Sequence, residues 1–86
     1  MLDTKLSSSA PVLVRMHARD NVAIVGNDGG LPAGTELPGG VMLRERVPQA
    51  HKVAMADLAK GAEVIRYGVV IGRALKDLPA GSWVNE

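Results

Sequence analysis

Only two histidines occur in this chain of 86 residues, and both stand among residues that can do chemistry with them. In "VPQAHKVAMADLAKGAEVIRYG", residues 47–68, His51 sits beside Lys52 in otherwise apolar surroundings. A small core of Val, Ile and Leu has no structural need for two adjacent polar heads just after Pro48. An imidazole there can act as acid, base or metal ligand, and an ammonium offers a point charge to a carboxylate. The plainer alternative is a polar strand start with Lys52 solvated. Alternation along a strand would set His51 with Val53 and Met55 on one face and Lys52 with Ala54 and Ala56 on the other. In "HARDNV", residues 17–22, His17 precedes Asp20 and Asn21. Asp20 could orient the imidazole or share in holding a metal. It could equally cap a β-turn together with Asn21, leaving His17 an exposed turn residue. Arg66-Tyr67 pairs a bidentate carboxylate binder with a hydroxyl donor, although Tyr67 would also serve as one of the few large residues available to the core. Gly29-Gly30 and Gly39-Gly40 lack the G-x-G-x-x-G and Walker spacings and are expected to be turns.

The elements that must position these residues are short. "GLPAGTEL" (30–37), "DLAKGAEV" (57–64) and "DLPAGSWV" (77–84) share the form x-Leu-x-x-Gly-x-x-apolar. In each, the Leu anchors into a shared core, Pro or Ala begins a tight turn, and Gly34, Gly61 or Gly81 supplies the positive φ such turns often need. Apolar stretches rich in β-branched residues precede them, "NVAIVG" (21–26), "HKVAMA" (51–56) and "YGVVIGRAL" (67–75), giving strand, turn, strand three times over. The spacings of 27 and then 20 residues make this a repeated motif rather than a solenoid. One helical stripe can be drawn through "HKVAMADLAKGAEVI", but Gly61 would end it early. With ten Gly and five Pro, the expectation is an all-β domain of short strands and many turns.

Composition limits the function classes. A chain of this size buries only about 60–65% of its unfolded surface, so its core is thin. No cysteine is present to supplement it with a disulfide or a zinc-thiolate site, which fits a cytoplasmic location. The opening ten residues, "MLDTKLSSSA", lack the apolar run of a secretory signal and are expected to be a disordered lead-in, and no apolar run approaches the roughly 20 residues of a membrane span. Net charge is +1, from ten Lys and Arg against nine Asp and Glu, and the aromatics are Tyr67 and Trp83 alone. That gives no basic stripe for phosphates and no stacking platform for bases, so neither nucleic acid nor membrane is expected as a partner.

Three segments, "HARDNVAIVGNDGGLPAGTEL" (17–37), "VPQAHKVAMADLAKGAEVIRYGVVIG" (47–72) and "LPAGSWVNE" (78–86), together resemble the amino-terminal SAF-type domain of galactarate dehydratases and, more loosely, of altronate dehydratases. The most specific parts are His-x-x-Asp-Asn-Val, His-Lys-x-Ala and Arg-Tyr-Gly-x-x-Ile-Gly, while "NDGGLPAG" and "GSWVNE" favour the galactarate branch. The resemblance implies a small β-clip fold over residues 11–86, of the kind shared with type III antifreeze proteins. Ala50 departs from it, standing where the family pattern usually has Gly before His-Lys. Since such dehydratases run to several hundred residues, the chain is expected to be one domain of a longer enzyme, with a separately encoded small subunit of a related lyase as the alternative.

The resemblance further implies a metal-dependent hydro-lyase of sugar-acid catabolism. Its carboxy-terminal body would be this domain's partner, and the assembly could be a homo-oligomer. A base takes the proton α to a carboxylate of a sugar diacid, the β-hydroxyl leaves, and a divalent metal, iron by association with the family, assists. Within that mechanism His51, Lys52 and then His17 are the catalytic candidates. Arg66, Tyr67 and Asn21 are the candidates for holding substrate, and His17 and Asp20 for touching metal. The isolated domain is expected to be inactive. A non-catalytic lid or interaction module is the competing expectation.

Overall fold

The structure, a computed structural model, describes residues 10–84. The lead-in expected over residues 1–10 therefore lies, Ala10 apart, outside the described residues. Six short strands form in chain order: β1 (Leu13–Val14), β2 (Val22–Val25), β3 (Lys52–Ala54), β4 (Glu63–Arg66), β5 (Val69–Arg73) and β6 (Trp83–Val84). No helix appears among the described residues, and the stripe through 51–65 resolves into β3, a turn and β4. An antiparallel sheet runs β1-β2-β3-β6, and β4 and β5 form a separate hairpin.

The central sheet is covered on both faces, which is why β2 reads as an unbroken apolar run rather than an alternation. Ala23, Val25 and Val53 face one cluster with Leu31, Leu37, Leu43 and Val47. Val22, Ala54 and Val84 face the other with Leu58, Val64, Ala74 and Leu78. The three turn-unit leucines therefore do not share a core as the sequence suggests: Leu58 and Leu78 pack on one face and Leu31 on the other. Each is buried, and burying a side chain of this size stabilises by about 1.5–3 kcal/mol.

Backbone pairing shows why three turn signals produce two structural units. Leu31 and Val47 exchange both of their hydrogen bonds, each at 3.0 Å, as Leu58 and Leu78 do at 2.8 and 2.7 Å. Inside each pair the next rung repeats. Gly34 N–H donates to Leu43 O and Leu43 N–H to Thr35 O, while Gly61 N–H donates to Ala74 O and Ala74 N–H to Ala62 O. The chain thus folds twice in the same way, with β3 closing the first unit and opening the second, and the third motif is the return arm of the second. Gly34, Gly61 and Gly81 have φ of 86°, 87° and 93°, the left-handed geometry their turns were expected to need. In this scheme Val47-Pro48-Gln49-Ala50 corresponds to Leu78-Pro79-Ala80-Gly81, and Ala50 adopts φ 71° where its counterpart is glycine.

The β4–β5 hairpin turns at Tyr67 and Gly68, both with positive φ (58° and 73°), the requirement of a type I′ turn. A bulge leaves Ile71 as the extra residue, since Val64 pairs with Gly72 but Ile65 with Val70. Asn21 ties the hairpin to β2. Its Oδ1 accepts from Ile65 N–H at 2.8 Å and its Nδ2 donates to Glu63 O at 2.9 Å.

Candidate functional site

The candidate residues fall into two groups at opposite ends of the β2–β3 ladder. His51 lies at the Val25 end, where its carbonyl accepts Val25 N–H at 3.0 Å. Asp20 and Asn21 lie beyond Val22, where Met55 N–H donates to Asn21 O at 2.9 Å. Roughly 13 Å of extended strand separates the two ends.

At the first end, the turn through Pro48 and Ala50 delivers His51 to the start of β3 as an exposed side chain. Trp83, half-buried and paired with Val53 across the β3–β6 ladder, meets it edge-on, with ring centroids 5.4 Å apart and planes at 77°. The Trp83 indole N–H donates to His51 Nδ1 at 3.3 Å, and Glu45 Oε2 accepts the Trp83 backbone N–H at 3.0 Å. Lys52 points to the other face, as alternation requires. There it is half-buried in a cleft of about 230 Å³ that it lines with Val64, Ile71, Gly72 and Arg73. Arg73 adds a second cation to this cleft, and its guanidinium also lies 3.5 Å from the Glu63 carboxylate.

At the second end, Asp20 is buried. Its Oδ1 accepts Gly68 N–H at 2.8 Å and its Oδ2 accepts His17 N–H at 3.2 Å. Burial by itself would raise its carboxyl, but the backbone N–H groups of Gly68, Tyr67, His17 and Met16 outweigh it and hold the group below its ordinary value of 3.8. Asp20 thus locks the His17 turn against the hairpin tip, as the turn-capping alternative expects. The imidazole of His17 lies over Gly68, so close that a Cβ there would collide with the ring. Its Nδ1 accepts Arg19 N–H at 3.0 Å. Both polar atoms of the Asn21 side chain are committed to β4, which leaves its head group a structural duty.

Tyr67 is exposed at the same tip, with Arg66 half-buried beside it. The guanidinium stacks 4.7 Å over the phenol ring and donates to its hydroxyl at 3.3 Å. Tyr67 is 51% exposed, so it is not a core residue, and its left-handed backbone is the kind of outlier that collects at functional positions. Arg66 Nε is buried and has no hydrogen-bond partner among the described residues.

Among the described residues no three His, Cys, Asp or Glu side chains gather closely enough to hold a metal ion, and the Asp20 oxygens and His17 Nδ1 already accept backbone N–H groups. Neither does any described helix have the length and apolarity to cross a membrane.

Sequence reasoning passed over Trp83 and Arg15 and Arg19. The two arginines line a second cleft of about 380 Å³ with Asp20 and Asn21. Aligning 47–53 with 78–84 sets Trp83 at the position of Lys52, so the repeat marks it as a strand residue, while its place beside His51 comes from the β3–β6 pairing.

Residues 11–86 match the family model described as the altronate/galactarate dehydratase SAF domain. The chain belongs to that family. This SAF domain is 52% identical over 73 residues to galactarate dehydratase (L-threo-forming) of Escherichia coli K12, covering 85% of the chain and 14% of that enzyme. It is 47% identical over 75 residues to altronate dehydratase of the same organism, covering 84% of the chain and 15% of the enzyme. A third relative is the (2R)-sulfolactate sulfo-lyase subunit alpha of Chromohalobacter salexigens, 34% identical over 79 residues, which are 81% of the chain and 84% of that subunit. The SAF domain thus spans about one-seventh of the two dehydratases and most of the sulfo-lyase subunit.

Proposed function

We propose that this SAF domain forms one wall of a hexarate dehydratase active site, that of galactarate dehydration, and contributes His51 and Lys52 to removal of water from the sugar diacid. The observation that carries this reading is the placement of His51. It is exposed at the end of a buried strand, held by Trp83, and satisfies no other side chain among the described residues. In a chain 52% identical to a galactarate dehydratase region, a polar group fixed in place and turned to solvent is better suited to a ligand than to the core. Lys52 and Arg73 supply positive charge on the opposite face and Arg66 at the far end, where Tyr67 and His17 add hydrogen-bonding groups. A dianionic substrate and the enediolate it forms both call for such charge.

The remaining machinery is assigned to the rest of the enzyme, which acts in the cytoplasm. The iron implied by the resemblance has no ligand set among the described residues, so the residues that would hold it fall to the rest of the enzyme. β5 supports a covering partner. Val69, Val70 and Ile71 are 60%, 43% and 49% exposed on an edge strand, a surface that proteins seldom leave bare. The sulfo-lyase relative, a subunit in its own right at this length, favours a second arrangement, in which the domain serves the same site as a separate chain.

The test is to incubate the 86-residue chain with galactarate and ferrous iron, alone and together with the remainder of the dehydratase. No water loss is expected from the chain alone, since acid-base chemistry needs groups on both sides of the substrate, whereas the combination turns over. Turnover by the remainder at an undiminished rate without the chain would refute the proposal.

A further inference from the structure

Both imidazoles meet the same kind of neighbour at the same ring atom. The Trp83 indole N–H donates to His51 Nδ1 at 3.3 Å, and the Arg19 backbone N–H donates to His17 Nδ1 at 3.0 Å. An indole or amide nitrogen is a donor only, so each contact requires an unprotonated Nδ1. In a neutral imidazole the single proton then resides on Nε2, because the tautomer is set by the hydrogen bond the other nitrogen makes. We propose that Trp83 is a positioning residue that fixes His51 as an Nε2–H donor, and that His51 thereby binds a substrate carboxylate oxygen instead of acting as the base at the α-carbon.

This inference rests on the dehydratase reading and narrows it. A ring locked with its proton on Nε2 offers that nitrogen as a donor and has its one accepting nitrogen covered by the indole. It can therefore orient a carboxylate without exchanging a proton with the substrate. His17 is set in the same way by the Arg19 backbone, so neither histidine of the domain is poised to take the α proton. That task passes to a group on the opposite wall. The geometry holding Trp83 is itself secure: β3–β6 pairing aligns it with Val53, and Glu45 accepts its backbone N–H.

With only two histidines in the chain, nitrogen-15 correlation spectra of the imidazoles at about pH 8.5, well above the ordinary imidazole midpoint, read both tautomers directly. Expected are a protonated Nε2 and a bare Nδ1 in each ring. Trp83→Phe should release His51 into a mixture of tautomers while His17, held by backbone, stays unchanged and reports that the fold is intact. A proton on His51 Nδ1 in the wild type, or no change of tautomer in Trp83→Phe, would overturn the proposal.

The functional arm uses the complete dehydratase with galactarate. His51→Gln places an amide N–H close to the Nε2 position and should keep turnover within about tenfold of wild type, whereas His51→Asn, which cannot reach, should lose roughly 10²-fold. Equal large losses in both variants would show that the ring accepts a proton, and would sink the donor role. A wild-type enzyme silent towards galactarate would instead overturn the dehydratase reading, with the tautomers still legible in the spectra.

Discussion

Ala50 carries a side chain at φ 71°, one residue before His51, where the corresponding position of the second unit is Gly81. The left-handed region costs an L-residue about 1–2 kcal/mol, and glycine returns about 0.4–1 of that through the freedom of the unfolded chain. Ala50→Gly is therefore expected to raise the stability of the isolated chain by about 0.5–1 kcal/mol, read from the urea midpoint, and a lowered midpoint would contradict the strain. Asp20 gives a pH signature. Its folded value lies below the ordinary 3.8, so the stability it contributes is fully present above that pH and is lost as pH falls through the lower folded value. The melting temperature of the wild type should decline in that acid window, and Asp20→Asn, with a lower melting temperature at neutral pH, should decline less. The candidate residues were legible in the sequence as types, and the opposite facing of His51 and Lys52 followed from alternation alone. What pairing alone reveals is that roughly 13 Å of strand parts the His51 end of the ladder from the Asp20–Asn21 end, and that Asn21 spends its amide on β4.

At the scale of elements, the repeated x-Leu-x-x-Gly signal located the tight turns, because positive φ at Gly34, Gly61 and Gly81 leaves a mark on residue type. It did not show that Leu58 and Leu78 are partners across one bridge while Leu31 bridges to Val47. Strand pairing depends on contacts distant in sequence, and a Leu facing one core looks the same in sequence as a Leu facing the other. The two clusters give a quantitative expectation. Leu58→Ala should cost roughly 2–5 kcal/mol. Because Leu31 packs on the other face of the sheet, its alanine variant should add to that of Leu58 within about 0.5 kcal/mol in the double mutant. Chemical denaturation of the two single variants and the double variant checks this, and a coupling well above that limit would mean that one core is shared.

For the whole molecule, a thin two-sided sheet with an exposed apolar edge strand and polar groups at both ends makes sense as part of a larger surface. The all-β class and the turn-rich build follow from ten glycines, five prolines and short β-branched runs, and residues 11–86 carry the family match. The exposure of Val69, Val70 and Ile71 was not legible, since an apolar run on an edge strand reads like one in a core. On the proposed reading, the fold should tolerate loss of the candidate site residues. In the isolated chain His51→Asn and Lys52→Met should each shift stability by less than about 1 kcal/mol. The most direct measurement is galactarate turnover, per folded enzyme, by the complete dehydratase carrying these same two substitutions. Each is expected to lower turnover by roughly 10²-fold or more; near-normal turnover in both would contradict a catalytic wall and leave the domain a lid.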